Sequence, residues 1–299
     1  MMSPATRYLD PALVEQLNQL QFAARSVVEG SATGLHRSQL KGASIEFRQH
    51  RAYVPGDEPR RLDWRVLART DRPFIKEYDE ETNLRCLLMM DCSGSMSYGK
   101  SASTGANKFE YACRLAASLA YLMLAATESV GLAMLGDRLT QWLTPRSGST
   151  QLSRITSGLD RAAVRGSVDL KRSIDEAANR LGRRAVVILI SDFFSPATVI
   201  RDALARLRHD RHELICLRVL HPDELTFPFE TWSQFRGLEG EGPSLCEPAV
   251  MRSVYLANFG RHTRDLQKAF QSVAAESNQF ITNQPLIESV TQFLRVRTR

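Results

Sequence analysis

Leu84-Arg85-Cys86-Leu87-Leu88-Met89-Met90-Asp91-Cys92-Ser93-Gly94-Ser95 is the stretch on which the fold turns. A nearly unbroken apolar run over 84–90 stops at an aspartate. A strand buried on both faces of a parallel sheet has this character, because neither face meets water and the apolar–polar alternation is lost. Downstream, Phe109, Ala112, Cys113, Ala116, Leu119, Ala120 and Met123 recur at helical spacing.

The same alternation continues outward. A second strand is predicted over 130–135, with a hairpin partner over 139–143 across Gly136-Asp137. Helices are predicted near 150–163, 169–181 and 197–208. Strands are predicted over 185–190, the most apolar of the chain and ending in Ser191-Asp192, and over 214–220. Strands alternating with helices predict an α/β fold, a doubly wound and mostly parallel sheet of Rossmann type covered on both faces. In such sheets ligands bind beyond the carboxyl ends of the strands, where the winding reverses. Two strands here end in an aspartate, Asp91 and Asp192.

Three regions follow from this pass. Residues 1–82 hold a capped helix opened by Asp10-Pro11 and striped by Leu13, Leu17 and Leu20, then a small charged, β-rich segment with a Pro55-Gly56-Asp57 turn. Residues 83–222 form the α/β core. Residues 223–299 complete it with a hairpin or loop over 235–245, a long helix from Pro248 to about 275, an edge strand over 280–282 and a final helix from Pro285.

Composition narrows the function classes. At 299 residues, 43% hydrophobic and 24% charged, the chain is an ordinary globular one. Its net charge of +6 favours acidic partners slightly and does not argue for nucleic acid. Arg51, Arg60, Arg61, Arg65 and Arg69 are interleaved with Asp57, Glu58, Asp63 and Asp71, so mutual ion pairing is expected there. Tyr53 and Trp64 are expected as packing anchors of that segment. No run reaches the roughly 18–20 apolar residues of a membrane span. The opening Met-Met-Ser-Pro-Ala-Thr-Arg-Tyr lacks the apolar core of a secretory signal, so a cytoplasmic address is expected. The five cysteines are odd in number and show no C-x-x-C pair, as reduced structural thiols do.

Asp91, Ser93 and Ser95 alternate along one loop directly after a buried strand. That spacing can aim one carboxylate and two hydroxyls at a common point, and Asp192 can add a second carboxylate from the adjacent strand. All are hard oxygen donors suited to Mg²⁺, Mn²⁺ or Ca²⁺. So few protein ligands leave positions for water or for a carboxylate from another molecule. The same residue types are also ordinary loop and cap residues, which leaves a scaffold without a working metal open.

A rival pattern shares the loop. Gly94-Ser95-Met96-Ser97-Tyr98-Gly99-Lys100-Ser101 satisfies the phosphate-binding G-x-x-x-x-G-K-[ST]. Such a loop passes straight into a helix whose N-terminus holds the phosphates, whereas here residues 102–107 intervene before the apolar stripe. Ser93, Ser95 and Ser97 lack the glycines of a G-x-S-x-G elbow, and the six histidines show no H-E-x-x-H spacing. No catalytic residue is assigned, and a non-enzyme is expected.

Two motifs carry a resemblance. Asp91-Cys92-Ser93-Gly94-Ser95 is similar to the Asp-x-Ser-x-Ser metal-ion-dependent adhesion site of von Willebrand factor A domains, and Ile190-Ser191-Asp192 resembles the third metal-site loop of that family. Upstream, residues 47–64 (Phe-Arg-Gln-His-Arg-Ala-Tyr-Val-Pro-Gly-Asp-Glu-Pro-Arg-Arg-Leu-Asp-Trp), Ala68-Arg69-Thr70 and residues 76–81 resemble the signature of a bacterial family of undefined biochemical role. In that family the segment precedes a von Willebrand A-like domain, and the genes commonly lie beside MoxR-type AAA+ ATPases.

The resemblance implies a cation site at Asp91, Ser93, Ser95 and Asp192, and work with such an ATPase and its client in assembly or maturation. It also makes Arg51, Tyr53, Asp57, Arg60, Asp63 and Trp64 a structural signature or docking surface. One departure stands out: Val168, in Gly166-Ser167-Val168-Asp169, occupies the position of a ligating threonine. Valine cannot ligate, so metal binding is expected to be weak unless Ser167, Asp169 or Thr150 compensates.

Overall fold

The computed structural model describes residues 7–20, 44–54, 62–70, 72–81, 84–99, 107–182, 184–240, 242 and 244–297. The chain divides into two compact units, residues 35–83 and the remainder.

In the larger unit, a helix over residues 11–20 (α1) is capped by Asp10, whose Oδ1 accepts the Leu13 amide at 2.9 Å. The smaller unit pairs β1 (Ser44–Ala52) antiparallel with β2 (Phe74–Glu81), with a bulge between Phe47 and Gln49. Between them lies α2 (Trp64–Thr70), started by buried Asp63, whose Oδ1 accepts the Val66 amide. Ile75 is buried in this unit. Trp64 is 65% exposed, contrary to its expected part as a packing anchor. Tyr53 is half-buried, and its amide donates to the Pro73 carbonyl. Asp57, Arg60 and the Pro55-Gly56-Asp57 turn lie outside the described residues, as does the Arg51 side chain.

The larger unit is built on one six-stranded sheet. Its elements in chain order are β3 (Arg85–Asp91), α3 (Lys108–Ala125), β4 (Ser129–Leu135), β5 (Leu139–Arg146), α4 (Ser149–Asp160), α5 (Leu170–Leu181), β6 (Val186–Ser191), α6 (Ala197–His209), β7 (Glu213–Leu220) and α7 (Pro222–Thr226). The short hairpin β8 (Ser233–Phe235) and β9 (Ser244–Cys246) follows, then α8 (Pro248–Ser272), β10 (Glu276–Ile281) and α9 (Leu286–Arg297). The strand order is β10-β7-β6-β3-β4-β5, parallel except for the antiparallel edge strand β5.

Alternate residues of the central strands face opposite layers, as the pleat requires. Cys86, Leu88 and Met90 join α1, α3, α4 and α9 in one core. Leu87 and Met89 join α5, α6 and α8 in the other. Burial on both faces is why 84–90 reads as continuous apolar sequence. The edge strand β10 begins earlier than its apolar signal, because Glu276, Ser277, Asn278 and Gln279 pair through backbone on a half-exposed edge. Among the described residues no helix is long and apolar enough to cross a membrane. Cys86, Cys92, Cys113 and Cys216 are free and buried.

From β3 the chain moves to β4 and β5 on one side, then returns to lay β6, β7 and β10 on the other. The winding therefore reverses between β3 and β6. Asp91 ends the first of these strands, and Asp192 directly follows the second.

Candidate functional site

Beyond β3 the chain turns at once. The Cys92 amide still donates to Leu135 of β4, after which residues 94–97 form a single 3₁₀ turn. Fully buried Met96 anchors that turn in the core. Gly94 is required by close approach, since a Cβ there would sit 1.9 Å from the Leu238 carbonyl oxygen. The Gly94 amide donates to Gly166, and the Arg165 amide to the Cys92 carbonyl, so the segment before α5 packs along this loop.

Both aspartates are buried, Asp91 at 6% and Asp192 at 1% exposure. Asp91 Oδ1 accepts the Ser93 amide at 2.8 Å, and its other oxygen accepts the Ser191 hydroxyl. Burial first, and the Asp192 charge second, push the Asp91 carboxyl up to about 6 against the pull of these hydrogen bonds. The Ser93 and Ser95 hydroxyls lie 2.9 Å apart. Asp91 and Asp192 thus stand at the ends of adjacent strands, Ser93 bonds Asp91, and Ser95 adjoins Ser93.

Val168 is half-buried and packs against the core that holds α5, which accounts for its apolar side chain. Asp169 caps α5 by accepting the Arg172 amide at 2.9 Å, and Ser167 and Thr150 are exposed. Among the described residues no group of three or more His, Cys, Asp or Glu is placed to hold a metal ion. The donor set consists of two carboxylates and two hydroxyls. Lys100 and Ser101, on which the phosphate-loop reading depends, lie outside the described residues.

Sequence reasoning missed the cations beside Asp192. Lys108 Nζ, wholly buried, stands 2.7 Å from Asp192 Oδ2 and 2.6 Å from Glu224 Oε1. It also lies 4.9 Å from the centre of the Phe194 ring. Glu224 is fixed in turn, because its Oε2 accepts the His221 amide at 2.7 Å in the capping box that starts α7. Burial raises the Glu224 carboxyl, while Lys108 works in the opposite direction.

Arg218, on β7, donates from Nε to the Asp192 carbonyl and from Nη1 to Thr263, and stacks on Phe259. Its Nη2 is buried and has no hydrogen-bond partner among the described residues. Phe193 has a φ of 55°, a left-handed conformation costing about 1 kcal/mol for such a residue. Burial of its ring against Phe270 and the bond from its amide to Ser191 Oγ hold it there.

Fold and site together define an α/β protein with a buried, charge-dense polar centre at the carboxyl end of its sheet. The chain belongs to the family described as "Protein of unknown function DUF58", whose model matches residues 49–265. It is 26% identical over 296 residues to Uncharacterized protein Rv1480 of Mycobacterium tuberculosis and to Uncharacterized protein Mb1516 of Mycobacterium bovis, covering 97% of this chain and 91% of theirs. Among solved structures it is similar to the hypothetical protein BatB of Bacteroides thetaiotaomicron, with a TM-score of 0.44 and 13% identity over 72% of this chain and 98% of that one. An aerotolerance-related membrane protein of Bacteroides fragilis gives a TM-score of 0.47 and 14% identity, over 71% and 99% of the two chains.

Proposed function

We propose that this chain is a non-enzymatic protein-interaction module of von Willebrand factor A-like type with a divalent-cation site. Asp91, Ser93, Ser95 and Asp192 would hold a Mg²⁺-like ion, with Mn²⁺ and Ca²⁺ as alternatives of the same oxygen chemistry. The observation that carries the reading is the position of Asp91 and Asp192 at the carboxyl ends of adjacent strands, at the point where the sheet reverses.

The donors suit such an ion. They are hard oxygens, and two buried carboxylates with Asp91 raised toward neutrality form a place where added positive charge is favourable. When bound, the ion would supply an open Lewis-acid position for one carboxylate from a partner. The chain's own residues support that position: Ser93 and Ser191 orient Asp91, and the 3₁₀ turn holds the Ser95 hydroxyl against that of Ser93. The resemblance in the upstream signature points to a MoxR-type AAA+ ATPase or its client as the partner, in the cytoplasm.

Titration calorimetry of Mn²⁺ into the metal-stripped chain tests the site. Heat is expected from the wild type and none from Asp91→Ala, and equal heats remove the reading. Co-purification of an AAA+ ATPase that chelator abolishes would support the partner, and chelator-insensitive capture would overturn a cation-mediated contact. A second reading, a scaffold without an ion, is favoured by the Lys108 ammonium already seated on Asp192. It predicts no Mn²⁺ heat from the wild type.

A further inference from the structure

Lys108 is the first residue of α3, directly after the Asn107 cap, whose side chain accepts the Glu110 amide at 2.8 Å. Lysines at helix starts ordinarily reach water, because desolvating an ammonium is expensive unless it is paired and hydrogen-bonded. Here the side chain is 0% exposed and two of its three donors meet carboxylates, Asp192 after β6 and Glu224 in α7. Asp192 Oδ2 faces this ammonium, while Oδ1 accepts a long bond from the Phe194 amide at 3.3 Å. Among the described residues, the charged groups of the centre thus include Asp91, Asp192 and Glu224 against Lys108 and Arg218.

We infer that Lys108 is a built-in counter-ion which competes with a divalent cation for Asp192 and thereby sets the affinity of the site. The inference rests on the cation reading above and adds the element that regulates it. An ion held by Asp91, Ser93 and Ser95 must share Asp192 with an ammonium bound to the same carboxylate. In a buried centre that repulsion is weakly screened, by solvent or by salt. If the ammonium withdraws instead, it must be held by Glu224 alone. Either course opposes the ion. Glu224 is the residue that favours binding, since it retains Lys108 when Asp192 turns to the metal.

Opposite signs therefore follow for the two partners. Lys108→Met, which keeps the length of the side chain and removes its charge, should tighten Mn²⁺ binding by roughly tenfold or more. Glu224→Gln should weaken it by roughly threefold or more, because Lys108 then depends on Asp192 alone. A merely structural role would lower affinity in both variants. The measurement is calorimetry of Mn²⁺ into the full metal-stripped chain, with the Mn²⁺-induced shift in melting temperature as second readout. That shift should be larger for Lys108→Met than for the wild type.

Wild-type binding with an unchanged or weaker Lys108→Met overturns the counter-ion and leaves the cation site standing. Binding by Lys108→Met without binding by the wild type upholds the counter-ion and removes the wild-type site as one filled by metal. Silence from all three proteins overturns both. Should Lys108→Met not fold, Glu224→Gln decides: tighter or unchanged Mn²⁺ binding overturns the inference.

Discussion

Asp91→Asn keeps the shape of a buried side chain and removes its charge, so it isolates what that charge costs the fold. The Asp91 carboxyl is raised from an ordinary 3.8 to about 6, by burial first and by Asp192 second. At about 1.4 kcal/mol for each unit, ionising it inside the protein costs about 3 kcal/mol more than in the unfolded chain. A group with a raised folded pKa stabilises the fold fully below its unfolded value, and that contribution is lost as pH climbs through the folded one. The window here runs from about pH 4 to about pH 6. Asparagine does not titrate, so Asp91→Asn avoids the loss.

Against this, Ser191 loses a carboxylate acceptor for its hydroxyl, which costs about 1 kcal/mol. The net expectation at pH 7.5, without divalent ions, is a variant more stable by about 2 kcal/mol, or roughly 4–8 °C in melting temperature for a unit of this size. Near pH 4 the advantage should vanish or reverse slightly. Urea melts of both proteins in chelator across that range provide the assay, and groups that do not interact with Asp91 cancel in the difference. A variant less stable than wild type at pH 7.5, or a difference independent of pH, would refute the reasoning. Gain of stability together with loss of Mn²⁺ binding would mark Asp91 as a residue kept for function at the expense of the fold.

Two further substitutions test how the centre is positioned. Gly94→Ala places a Cβ against the backbone carbonyl of Leu238, so residues 236–240 must move. A loss of about 2 kcal/mol and faster proteolysis of that loop are expected, and an unchanged melting temperature would contradict the close approach. Asn107→Ala removes the capping box that starts α3 immediately before Lys108. The expected cost is about 1 kcal/mol, read as a fall of roughly 2–4 °C in melting temperature.

Much of the architecture is legible because it is periodic. The apolar run before Asp91, the helical stripe from Phe109 and the apolar run before Asp192 each report burial, which composition records directly. The four proposed ligands were also legible, since strand ends in such a sheet are a short list of places. Lys108 was not. In sequence it is one more charged residue at a helix start, and only the position of α3 relative to β6 and α7 turns it inward. Arg218 carried a faint signal, a charge inside a strand otherwise apolar over 214–220, but its partners lie on other elements. Trp64 shows the converse, because aromatic character alone did not predict its exposure.

Sequence by itself thus determined the strand and helix pattern, the α/β class and the residues at the carboxyl ends of β3 and β6. These depend on side-chain hydrophobicity and on local spacing. Only the tertiary structure decided the electrostatic balance of the centre: which carboxylate is raised, which is seated against a lysine, and which backbone carbonyl closes over Gly94. Such balances arise from groups distant in the chain, Lys108 with Asp192 and Glu224, or Asp91 with Ser191. Their strength is set by separation and burial, and neither exists before the sheet brings the strand ends together.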